Sequence, residues 1–105
     1  MKVWKRMTVE YVAWANAEGS EILTKRHIME ALATIHYVVD MRTHESTRVE
    51  LHHHTFADII GDLHPGECLG KMISFWGLDF YPQQGFDYNV AQVTVVHRRE
   101  IRTIS

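Results

Sequence analysis

Hydrophobic residues recur along this chain with two different periods, and the change from one to the other sets the expected elements. Over residues 3–17, Trp4, Met7, Tyr11 and Trp14 fall at three- and four-residue spacing, as on one face of a helix. Met7, Val9, Tyr11 and Ala13 also alternate, which is the competing signature of a strand. The alanines and a cap-type Gly19 tip the expectation toward helix. Residues 25–41 predict a second helix. Thr24 can cap it, Ile28, Leu32, Ile35 and Val39 line one face, and Met29, Ala31 and Val38 flank them.

Residues 47–63 support two readings. In the preferred one, residues 47–54 are a strand and Thr55-Phe56-Ala57-Asp58 opens a short helix that stops before His64-Pro65-Gly66. In the other, one helix puts Val49, His53, Phe56, Ile60 and Leu63 on a face and stacks Glu50, His54 and Asp58 at four-residue steps. Residues 68–81 and 86–97 predict a β-hairpin broken at Pro82-Gln83-Gln84-Gly85, its second strand rich in β-branched residues. The tail over 98–105 extends that strand as a charged edge. The expected fold is α+β in one domain spanning 1–105: two N-terminal helices packed on a small antiparallel sheet, with a C-terminal β-hairpin.

The stretch Ile22-Leu23-Thr24-Lys25-Arg26-His27-Ile28-Met29-Glu30-Ala31-Leu32 resembles the capped helix starts of histone-fold and Clp N-terminal domains. Any capped amphipathic helix shares that likeness, so it implies a helix and no function.

Composition narrows the class. With 105 residues, 46% hydrophobic and 23% charged, the chain can bury one core without staples. Its single cysteine excludes an internal disulfide. No apolar run is long enough to cross a membrane, and the basic start lacks the apolar stretch of a secretory signal. A cytoplasmic setting is the expectation.

Charge is unevenly spread. Residues 1–44 carry a net +1, residues 45–87 a net −5 and residues 88–105 a net +2. The basic residues therefore sit at the two ends. Were those ends to meet, they would form a modest patch, so nucleic acid is not the expected partner.

Three constellations could carry chemistry. The first is histidine: five of eight fall in the acidic middle or at its border, at His44, His52, His53, His54 and His64. On a strand His52 and His54 share a side, and with His64 and Cys68 they are the candidate ligands of a zinc ion. The second is Cys68 with His64 four residues earlier, a thiol–imidazole pair without an identifiable oxyanion donor. The third is aromatic: Phe75, Trp76, Phe80, Tyr81, Phe86 and Tyr88 crowd a segment that holds Asp79 and Asp87 but no Lys or Arg. That mixture favours protein contact over stacked bases. No phosphate-binding or nucleophile motif is present, and no catalytic residue is assigned.

The reading that follows is a small regulatory module of accessory or inhibitor type. It would bind another protein, or a second copy as a homodimer, through the aromatic hairpin and without a cofactor. The alternative is a zinc-binding module or small metalloenzyme built on the histidines.

Overall fold

Alternation, not the helical period, governs the N-terminal segment. In the computed structural model, β1 (Lys2–Asn16) is a fifteen-residue strand where the three-and-four spacing predicts a helix. The structure describes the backbone of residues 2–19, 21–38 and 44–104, with side chains over 7–19, 21–38 and 46–98. The reason for the strand lies at the other end of the chain. β5 (Val90–Ile104) runs antiparallel to β1 along its whole length, from Lys2 opposite Ile104 to Asn16 opposite Val90. A ladder that long outweighs the few tenths of a kcal/mol per residue by which alanine favours helix.

Between these strands come α1 (Lys25–His36), β2 (His44–His52), α2 (His53–Ile60), α3 (Pro65–Cys68), β3 (Ile73–Phe75) and β4 (Leu78–Gln83). The class is α+β, as expected, with three helices and five strands among the described residues. The expected α1 extends to residue 41; the observed helix stops at His36, and Val39 lies outside the described residues. The strand-then-helix reading of residues 47–63 is correct, but the helix starts at His53 and not after Thr55.

The sheet order is β1-β5-β2-β4-β3. It is mixed where the sequence suggests antiparallel: β2 and β4 run parallel, because α2 and α3 carry the chain back before β4 begins. The expected hairpin between residues 68–81 and 86–97 does not form. β2 lies between β4 and β5 and pairs with both. A smaller hairpin, β3–β4, turns on Trp76-Gly77 instead. The tail extends β5, as expected, with β1 along one side of residues 98–104 and no described strand along the other.

Register explains the core. Phe80, Val49, Val93 and Ala13 lie opposite one another across four strands, and Pro82, Leu51, Ala91 and Ala15 form the next row. Val49, Leu51, Phe80, Ala91, Val93 and Ala15 join Ile28, Leu32 and Ile35 of α1 and Phe56 of α2 in one buried cluster, with Ala13 packed against it. Phe56 and Phe80 meet ring to ring at 5.0 Å. Pro82 loses no ladder bond through its missing N–H, because β3 ends before reaching it, and its carbonyl accepts from the Gly70 amide at 2.9 Å. The opposite face shows Trp14, Gln92, Glu50 and Tyr81 as a row, with Arg48 Nε 3.1 Å from Glu50 Oε1.

β1 and β5 outrun the rest of the sheet. β2 follows β5 only as far as His97, so, among the described residues, 2–8 and 98–104 pair with each other alone, as a two-stranded arm. The principal extents are 56 × 27 × 22 Å, and the radius of gyration is 16.3 Å. A compact chain of this length has a radius of about 13 Å.

Candidate functional site

The histidines are joined to backbone. A helix start leaves amide N–H groups without partners, usually satisfied by Ser, Thr, Asp or Asn oxygens. Here imidazole does this work at each described helix. His52 Nδ1 accepts from the His54 amide at 3.1 Å as the cap of α2, and His64 Nδ1 accepts from the Gly66 amide at 3.1 Å as the cap of α3. At α1, His27 takes the capping-box role usually given to Glu or Gln: its Nδ1 accepts from the Thr24 amide at 3.0 Å. With Nδ1 accepting, Nε2 carries the proton and donates to Glu21 Oε2 at 3.3 Å. Both nitrogens of buried His27 are thus engaged, and neither offers a lone pair for base chemistry.

The His52-His53-His54 run sits where the chain passes from β4 over the end of β2 into β5. His53 Nδ1 donates to the Gln83 carbonyl at 3.2 Å, and Thr55 Oγ1 donates to the Tyr88 carbonyl at 2.9 Å, so α2 grips both ends of the crossing loop. The His52 ring stacks on His53 at 4.4 Å and meets Tyr88 at 4.3 Å. Burial first, then the neighbouring His53 and His54, holds the His52 pKa below the ordinary imidazole value. A cavity of about 270 Å³ beside the loop is lined by Glu21, Ile22, Thr55, Asp58, Tyr88 and Asn89, and no imidazole enters it.

The four candidate zinc ligands are therefore distributed. His52 and His54 are neighbours, with ring centroids 5.4 Å apart, but His64 caps a different helix. Cys68 Sγ is buried and donates to the Pro65 carbonyl at 3.2 Å. Among the described residues no three His, Cys, Asp or Glu side chains gather as a metal-holding group. Burial, with Glu67 adding to it, pushes the Cys68 thiol above its ordinary pKa, against its own hydrogen bonding and Lys71. That is the reverse of what a nucleophilic thiolate needs.

The six candidate aromatics divide among four places. Phe80 is fully buried core. Tyr81 lies half-buried on the helix-free face, and Phe86 packs on the exposed Trp14 at 6.3 Å. Tyr88 joins the histidines. Phe75 and Trp76 stand at the β3–β4 turn, 39% and 37% exposed and edge to face at 4.7 Å, and the exposed Met72 precedes β3. Trp76 also meets Phe80 at 6.0 Å and lies under Lys25 Nζ at 4.4 Å. Trp76 has φ +55° and Gly77 φ +73°, the two positive angles of a type I′ turn.

Sequence reasoning missed the capping histidines and the exposed Val12 and Trp14. Pro65 directly after His64 was a usable signal for the first, since proline favours the first helical position. For Trp14 the choice of period was decisive: as a strand residue it leaves the Tyr11 side and becomes 54% exposed.

No protein-family model matches this chain, and neither curated proteins nor solved structures give a match. Among the described residues no helix is long and apolar enough to cross a membrane.

Proposed function

We propose that the chain is a small regulatory module that binds another protein through the β3–β4 hairpin, with Phe75 and Trp76 as anchors and the exposed Met72 just before β3. One observation carries the reading. Trp76 occupies a left-handed position where Asn or Gly is favoured, and an L-residue with a Cβ there costs about 1–2 kcal/mol. The turn thus holds a large ring at a backbone cost and leaves over a third of it to solvent. Trp, Phe and Met are residue types enriched where proteins meet, and a few such anchors dominate binding energy. A reducing, cytoplasmic setting suits the lone Cys68 thiol.

The test separates folding from binding. Trp76→Asn supplies the residue the turn prefers, so stability should hold within about 1 kcal/mol. Stoichiometric partners captured from the source cells by the native chain would be purified, and their affinity measured by calorimetry for both chains. The reading expects the variant to bind at least tenfold more weakly, since an anchor is worth about 2 kcal/mol or more. Equal binding by Trp76→Asn, or no stoichiometric partner for the native chain, overturns it.

A further inference from the structure

The outer edge of β1 is long and, among the described residues, unpaired: β1 has β5 on one side and no strand on the other. Such an edge is a template for another strand. We propose that its occupant is a second copy of this chain, with the two β1 strands running antiparallel about a two-fold axis at Thr8 and joining two five-stranded sheets into one. This inference does not rest on the hairpin reading, which uses the opposite edge of the sheet.

Three observations carry it. The first is the arm. Among the described residues, 2–8 and 98–104 form a ribbon of two strands, and isolated two-stranded ribbons are marginal in water. Pairing about Thr8 lays residues 2–8 of each copy along residues 8–14 of the other, which gives each arm a third strand.

The second is register. A two-fold axis normal to the sheet keeps both helix layers on one side, so residues that face each other must share parity along the strand. Of the registers that obey this, the one centred on Thr8 alone sets opposite charges against each other without also opposing like charges. It places Arg6 opposite Glu10 twice, by symmetry. The same register puts Lys2 opposite Trp14, Lys5 opposite Tyr11 and Trp4 opposite Val12, and Thr8 meets itself. Opposite-charge, cation–aromatic and aromatic–β-branched pairs are the favourable cross-strand types.

The third is charge. The arm contains Lys2, Lys5, Arg6, Arg98, Arg99 and Arg102 against Glu100, a net +5, which leaves −7 for the rest of a chain whose net charge is −2. The basic ends do meet in space, and the two-fold pairing sets each basic arm beside the acidic body of the other copy.

Light scattering at micromolar concentration, with far-UV circular dichroism as the check on folding, tests the proposal. The native chain should run at twice its 12.3 kDa mass. Glu10→Arg should run as a folded monomer; Glu10 lies opposite Val96 in its own sheet, so reversal sets no like charge directly opposite it. A second chain, Arg6→Glu with Glu100→Arg, keeps opposite charges at its own Arg6–Glu100 register position and should also be monomeric. Mixed in equal amounts, the two variants have opposite charges at both crossings and should recover the double mass. A monomeric native chain overturns the proposal. So does a Glu10→Arg dimer, which would place the interface elsewhere, or a mixture of folded variants that stays monomeric.

Discussion

The Nδ1 atom of His52 accepts the backbone amide of His54 at 3.1 Å, so the first residue of a three-histidine run caps the helix that the other two begin. This bond exists only while Nδ1 is unprotonated. The folded-state pKa of His52 lies below its ordinary value of 6.5, with burial the larger cause and His53 and His54 the smaller ones. The unfolded chain therefore takes up the proton first as pH falls. The stability contributed by His52 is whole above about pH 6.5 and is lost as pH falls through the lowered folded value. Thermal melts should show a lower Tm at pH 5.5 than at pH 7.5. His52→Asn, which caps without titrating, should reduce that difference. A difference unchanged in the variant would remove His52 from the account.

His27→Ala should destabilise the chain by about 1–2 kcal/mol, because it strips the acceptor from the Thr24 amide and leaves buried space. His27→Gln restores a capping-box acceptor and should recover part of the loss. Urea unfolding at pH 7.5 measures both. Equal losses would mean that packing, not the cap, is what His27 supplies.

Phe80 and Phe75 come from the same aromatic run and should behave oppositely. Phe80→Ala empties a fully buried site against Phe56 and should cost about 3–5 kcal/mol, enough to unfold a marginal domain. Phe75→Ala at the exposed turn should cost under about 1 kcal/mol. Denaturant midpoints of the two variants decide, and similar values would contradict the burial pattern.

Cys68 is buried and its thiol is pushed above its ordinary pKa, so the thiolate fraction at neutral pH is small. Its reaction with a chromogenic disulfide reagent at pH 7.5 should be slow in the native chain and become fast in denaturant. Prompt reaction of the native chain would show a reactive thiol and revive the Cys68–His64 reading.

The zinc reading has a direct check. His52 and His64 have Nδ1 committed to helix caps, and the Cys68 thiol is directed at the Pro65 and His53 carbonyls. Melting temperatures with and without a chelator should coincide. A fall of many degrees in chelator would mean that these side chains hold a structural ion.

Much of the fold was legible along the chain because the controlling physics was local. The α+β class, α1 with its Thr24 cap, and the strand-to-helix change near residue 53 follow from period, capping chemistry and β-branched content. The break at Pro65 is equally local, whereas the turn at Trp76-Gly77 falls inside residues 68–81, which the pattern presents as one strand. The aromatic and histidine residues were visible as types, but not their roles.

What only the tertiary structure decided depended on a partner far away in sequence. Residues 2–16 satisfy both a helical and an alternating pattern, and β5, some ninety residues on, selects the strand by offering a full ladder. β2 enters between β4 and β5 because the α2–α3 crossover returns the chain parallel to it, which dissolves the hairpin that local turn signals suggest. The same distance effect sorts the aromatics: adjacent Phe80 and Tyr81 point to opposite faces of β4, and only the helix layer determines which face is dry. For the histidines the deciding neighbours were amides two or three residues away and a carbonyl on another strand. Side-chain type sets what an imidazole can do, and the backbone group that reaches it first sets what it does.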